Sequence, residues 1–140
     1  MSYGVAAALQ RAVFAQLRAD TALAALVGAD IYDALPTGAL PTVYVVLGAE
    51  DVRDASDKTG GGAWHQFTVS VVTQSAGFAT AKAAAAAVSD ALVDAPLVLD
   101  RGTLVSLNFY KAKAARVGTG AVRQINLIFR ARVADDTSPN

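Results

Sequence analysis

The sequence predicts an α+β fold, an antiparallel sheet of about four long strands with two helices packed on one face. Three observations lead there. Four stretches, 42–49, 64–73, 103–114 and 122–133, alternate apolar and polar side chains. Two others repeat apolar residues every three to four positions. Turns bearing glycine or proline separate them. A period of two marks a strand with one buried face, and a period near 3.6 marks a helix with one apolar stripe.

In chain order, Val5, Leu9, Val13 and Leu17, with Ala8 and Ala12 beside them, define an amphipathic first helix. Asp20 is placed to cap a second short turn over 21–27, and Gly28 to end it in the left-handed region. Pro36 and Pro41 bracket a turn containing Gly38, where a fixed φ and a free one together reverse the chain. The strand at 42–49 points Val43, Val45 and Leu47 to one side, and that at 64–73 does so with Phe67, Val69 and Val71. A helix over 79–93, with Ser75 and Gly77 at its start and Pro96 beyond its end, turns Ala81, Ala84, Ala85, Val88 and Leu92 inward. Alanine on that side lets the helix lie close to the sheet. The strand at 103–114 faces the core with Val105, Leu107 and Phe109, and the last strand with Ile125, Leu127, Phe129 and Val133. Strands of this length with one apolar side imply an antiparallel sheet. Residues 1–134 read as one domain and 135–140 as a polar, frayed tail.

Composition excludes several classes. With no cysteine and one histidine, neither disulfides nor a set of thiolate or imidazole metal ligands can be assembled. Hydrophobic content is 54%, but 31 residues are alanine, and no apolar run approaches the ~20 residues that span a bilayer. Arg11 and Arg18 interrupt the first apolar stretch, which argues against a signal peptide. Twelve basic and twelve acidic residues cancel, so no net charge draws the chain to nucleic acid or disperses its copies.

The groups that carry chemistry do not form a catalytic set. His65, beside Trp64 at a strand start, reads as structural or exposed. Glu50, Asp51, Asp54 and Asp57 cluster around a loop, but their spacing is not that of an EF-hand, and Arg53 and Lys58 sit among them. Paired acids of this kind could serve a small hydrolase; a solvated hairpin is the plainer reading. The run Lys58-Thr59-Gly60-Gly61-Gly62 inverts the order of a phosphate loop and leads into a strand. Arg116-Val117-Gly118-Thr119-Gly120 lies between strands, so it is a hairpin and not a dinucleotide fingerprint. Lys111, Lys113, Arg116 and Arg123 concentrate positive charge around that hairpin, either as a soluble end or as a patch for an acidic partner or DNA phosphate.

The second sheet face carries Gln66, Thr68, Ser70, Ser106, Asn108, Tyr110, Gln124 and Asn126, with Arg130 and Arg132 at one end. Most of these side chains hydrogen-bond without charge. The face is therefore either simply solvated, or meets another subunit or lines a channel.

This order of parts resembles the tail terminator (tail completion) proteins of long-tailed phages, in particular those of gene transfer agents, the phage-like particles of alphaproteobacteria. The resemblance lies in the helix ending near Leu26-Val27-Gly28, the Ile31-Tyr32-Asp33 strand and the Pro41 entry to Val43-Tyr44-Val45. It continues through the strand Phe67 to Val72, Ser75 and the alanine helix, and the final strands ending in Phe129-Arg130. It spans nearly the whole chain and rests on shape and order, without invariant catalytic residues. It implies a non-enzymatic homo-hexameric ring on the head-proximal end of a tail tube. Such a ring stops tube polymerisation and docks the head–tail connector, and DNA passes through its lumen without sequence-specific binding. No cofactor and no membrane is implied. On that reading Arg53, Asp54, Asp57, Lys58, Arg116 and Thr119 are candidate contacts to tube or connector. Thr68, Ser70, Asn108, Tyr110, Gln124 and Asn126 are candidates for a ring or lumen face. Another connector or minor tail protein, and a monomeric binding module, are the alternative readings.

Overall fold

The computed structural model describes residues 3–55, 61–74, 78–118 and 122–135. Helix α1 (Ala6–Ala19) buries Leu9, Val13 and Leu17, the stripe expected from their spacing, and Val5 just ahead of it is buried as well. Asp20 then caps α2 (Thr21–Val27) by accepting from the Leu23 N–H at 2.9 Å, and Gly28 ends it at φ 62°. The strands are β1 (Ile31–Tyr32), β2 (Val43–Asp54), β3 (Gly62–Thr73), β4 (Thr103–Arg116) and β5 (Arg123–Ala134). Helix α3 (Ala79–Leu92) separates β3 from β4.

The strands form one sheet in the order β1-β2-β3-β5-β4. Neighbours pair antiparallel except β1, which runs parallel to β2 with Ile31 beside Val45. The expectation of four antiparallel strands and two helices is thus corrected to a mixed sheet of five strands and three helices among the described residues. The physical reason is length. Two residues cannot display an alternation, and a seven-residue helix shows less than two turns of periodicity.

Two further departures come from β-bulges, which add a residue to one strand and reverse the facing of all that follows. In β2 the register shifts between Leu47 and Glu50, so the strand continues to Asp54, well past the expected end at 49. In β4 it shifts between Leu104 and Ser106 and again between Phe109 and Lys111. Val105, expected in the core, is consequently 59% exposed, while Leu107 is buried as expected. Phe109 packs its ring edge on Phe129 but stays 45% exposed on the outermost strand.

All three helices contact one another or the same side of the sheet, and the core lies between these layers. Ala81, Ala84, Ala85, Val88 and Leu92 of α3 are buried as their spacing requires. They meet the side of the sheet carrying Val45, Phe67, Val69, Val71, Ile125, Leu127 and Phe129. Each fully buried large aliphatic or phenyl side chain there contributes about 1.5–3 kcal/mol of transfer free energy. A smaller cluster of Val5, Ala63 and Val133 closes one end. There Gly102 has φ 75°, and a Cβ on it would lie 2.7 Å from the Ala134 carbonyl oxygen and 2.9 Å from Val5 Cγ2. Only glycine meets both conditions.

The tail expected to fray from residue 135 is tied at its first position. Asp135 donates its N–H to the Gly61 carbonyl at 3.0 Å and accepts from Arg101 Nη2 at 2.8 Å. Residues 136–140 lie outside the described residues. Among the described residues, no helix is long and apolar enough to cross a membrane.

Candidate functional site

With the helices on one side, no helix or strand among the described residues covers the other side of the sheet. Strand register determines what it presents. Ser70 pairs with Asn126, Val72 with Gln124, Thr68 with Ile128 and Gln66 with Arg130, so these residues share the open face. Ser70 Oγ donates to Asn126 Oδ1 at 2.7 Å, and Gln124 Nε2 donates to the same oxygen at 2.8 Å. Four of the residues predicted for this face (Thr68, Ser70, Gln124 and Asn126) thus stand together, three of them joined by hydrogen bonds. Asn108, beside Arg130, and Tyr110 add the exposed outer margin.

The lower end of the face holds a row that was only partly legible in the sequence. Arg130 lies between two rings, 5.2 Å from the Trp64 centroid and 4.9 Å from that of Tyr110. Arg132 lies 5.7 Å from Trp64 and donates to the Ala55 carbonyl at 3.3 Å. Arg53 is Trp64's register neighbour on β2. Cation–π contacts of this kind hold guanidinium planes in place while their edges remain free to donate. The arginines and Tyr110 were expected on this face; Trp64 was not recognised as their platform. Its signal was its position one residue from His65, which alternation places on the opposite side.

The acidic cluster is dispersed by the same alternation. Glu50 lies on the helix side, opposite Phe67, and Asp51 on the open side, opposite Gln66. Arg53 and Asp54, expected in a loop, are strand residues paired with Trp64 and Ala63. Arg116, also expected in a loop, pairs with Arg123 at the end of β4. The hairpin there is narrower than expected, with Val117 donating to the Val122 carbonyl at 3.0 Å and Gly118 at φ 68°. Asp57, Lys58 and Thr119 lie outside the described residues. The four basic residues noted around this hairpin also separate. Lys111 and Lys113 take the open face, while Arg123 turns to the helix side and lies 5.5 Å from the Phe78 ring.

His65 is fully buried on the helix side, of its two expected settings the structural one. Its Nδ1 lies 3.7 Å from Glu50 Oε2, too far for a hydrogen bond, and neither ring nitrogen has a hydrogen-bond partner. The Tyr3 hydroxyl donates to the other Glu50 oxygen. A cavity of about 90 Å³ lies alongside, lined by Leu9, Val13, Leu47, Glu50 and Phe67 among others. Burial lowers the His65 pKa, and the nearby Glu50 carboxylate partly opposes this. A histidine whose folded pKa is below its unfolded one binds fewer protons in the native state. Stability is therefore complete above the unfolded value near 6.5 and falls as pH drops toward the folded pKa. The expected slope is up to ~1.4 kcal/mol per pH unit below pH 6.5. Denaturant titrations of the native chain and of His65→Leu between pH 7.5 and 5.5 check this. An equal acid slope in the variant would assign the effect elsewhere.

His65 is sealed from solvent, and no group of three or more metal-ligating side chains occurs among the described residues. Among the described residues the open face carries a hydrogen-bonding group and a stacked arginine row.

A family model described as tail completion protein gp17 matches residues 11–134. The chain belongs to the tail completion protein family. This family member is also similar to a chain in a solved structure of the virion of a native gene transfer agent particle. The two are 66% identical, with a TM-score of 0.91, over 95% of this chain and 99% of that one. No curated protein matches it. The family resemblance drawn from the order of helices and strands is therefore correct, and its Ile31-Tyr32 strand is present as β1, although the fold class counted one strand and one helix too few.

Proposed function

We propose that this chain is a structural tail terminator without enzymatic activity. Copies form a ring, a homo-hexamer, on the head-proximal end of a phage-like tail tube. The ring stops tube polymerisation and joins the tail to the head connector, and DNA passes through its lumen. Its place is then the head–tail junction of a virion or gene transfer agent particle. The observation that carries this reading is the joint match to the tail completion family and to a chain of a gene transfer agent virion across nearly the full length. Capping needs a molecule that matches the tube end on one side and presents a different surface on the other. Zero net charge favours contact between copies, and the open sheet face is largely uncharged around Ser70 and Asn126.

Within this reading Thr68, Ser70, Asn108, Tyr110, Gln124 and Asn126 form a ring or lumen face. The hairpin ends with Arg53, Asp54, Asp57 and Lys58, and with Arg116 and Thr119, reach the tube or the connector, the first of them the tube. Cryo-electron microscopy of purified particles tests the role. The expected result is a six-fold ring of this chain capping the tube. A different protein at that level, with this chain absent, would overturn the reading. Deleting residues 54–61 is expected to abolish capping, and intact capping would free the first hairpin from the tube contact.

A further inference from the structure

The two edges of the sheet are unlike each other in a complementary way. At one edge, β4 is the outermost strand. The chain after α3 covers part of it, where the Asp94 N–H donates to the Leu107 carbonyl at 3.0 Å. Beyond that point residues 108–114 are all exposed, and among the described residues no strand pairs with their outer edge. Long open edges of this kind are templates for association unless they are blunted. Helix α3 contacts β5 and β3 more than β4, which leaves a groove of about 320 Å³ along the strand. Its walls are Ala85 and Ser89 of α3 and Phe109, Ala112 and Ala114 of β4. It is an apolar slot with room for side chains, far larger than a single water needs. Lys82 of α3 stands at its wall, while Lys111 and Lys113 of β4 point to the open side of the sheet.

At the other edge, beyond β1, residues 33–40 are all exposed. They include Leu35 at 47% and Leu40 at 36%, each directly followed by a proline. Pro36 and Pro41 restrict the backbone and lower the entropy lost when the loop docks. Asp30 and Asp33 give this edge negative charge, with Asp33 accepting from Gln10. Arg18 also reaches this edge, but its guanidinium is bonded to the Ile31 carbonyl and laid over Phe14. The two edges are separated by four inter-strand steps, roughly 19 Å.

We infer that copies of this chain join head to tail. The loop 33–42 of one copy seats its leucines in the groove between α3 and β4 of the next, and Asp33 faces Lys82 at the groove's wall. The occupant is a second copy, because the basic edge and the acidic edge belong to the same chain. Pairing of β4 with its own copy would set lysine against lysine, so the edge rejects itself and selects the opposite one. Unlike patches of this kind generate rings when the rotation between copies closes. The inference rests on the ring reading above and names the surfaces that build the ring.

The absence of native cysteine makes the test clean. Leu35→Cys and Ala112→Cys are introduced together into the full chain, and purified particles are oxidised and run on a non-reducing gel. The expected result is a ladder of this chain extending beyond the dimer, with each single variant staying monomeric. A double variant present in particles but monomeric on the gel overturns the inference and leaves the ring reading standing. A dimer from Ala112→Cys alone overturns it as well, since the edges would then pair with themselves. Absence of the native chain from particles overturns the ring reading itself. A second measurement does not depend on crosslinking geometry. Lys82→Asp is expected to lower incorporation into particles about tenfold, and adding Asp33→Lys to restore it. Failure of restoration in a chain that still folds by circular dichroism counts against the inference.

Discussion

Replacing Phe129 with alanine is expected to destabilise the protein by about 3–5 kcal/mol, the largest effect of any single truncation in this core. Phe129 is fully buried in β5, which pairs with β3 on one side and β4 on the other. Register sets one phenyl ring from each of the three strands in a row. Phe67 stacks on Phe129 with centroids 5.7 Å apart, and Phe109 meets it edge-on at 6.0 Å. Removing the middle ring takes away its own transfer free energy and both ring contacts, and leaves a cavity under α3. Phe109, already 45% exposed, can swing partly into that space, which places the expected value toward the lower end of the range. In a chain of this length the thermal midpoint should fall by roughly 10 °C or more. Calorimetry of Phe129→Ala beside Phe109→Ala checks it. Phe109→Ala should cost about half as much, having less surface to lose, and equal costs would contradict the row as described.

Ala84→Leu is expected to cost about 1–3 kcal/mol, although leucine is the more hydrophobic residue. Ala84 is fully buried where α3 contacts the sheet, with Ala81 and Val88, also at 0%, on the same stripe. At such a position a methyl group sets the distance between helix and sheet. Three added carbons must push α3 outward or force strained rotamers. Ala83→Leu, on the exposed side of the same helix, should change stability by less than about 0.5 kcal/mol. Urea titration of both variants separates these expectations. Stabilisation by Ala84→Leu would mean that the helix is not seated at alanine distance.

Both predictions draw on features that differ in how far the sequence disclosed them. The inward stripe of α3 was legible residue by residue, because a helix keeps its periodicity whatever it packs against. The same holds for the Asp20 cap and the Gly28 stop, which need only their immediate neighbours. On the open face, the hydrogen-bonded group of Ser70, Gln124 and Asn126 was legible as a set of uncharged alternating residues. The stacking of Arg130 and Arg132 on Trp64 was not, since it depends on which residues of β3 and β5 stand side by side.

Taken alone, the sequence determined the class of the fold, the four long strands, the core-facing sides of α1 and α3 and the family. These follow from periodicities and from the order of elements, which are local or cumulative along the chain. Only the tertiary structure decided the parallel pairing of β1 with β2, the bulges that turn Val105 outward and bring Glu50 to His65, and the groove left where α3 stops short of β4. Each depends on register between segments far apart in sequence, where a shift of one residue exchanges the two faces of a strand. Periodicity within a segment carries no information about that choice; packing against the neighbouring strand makes it.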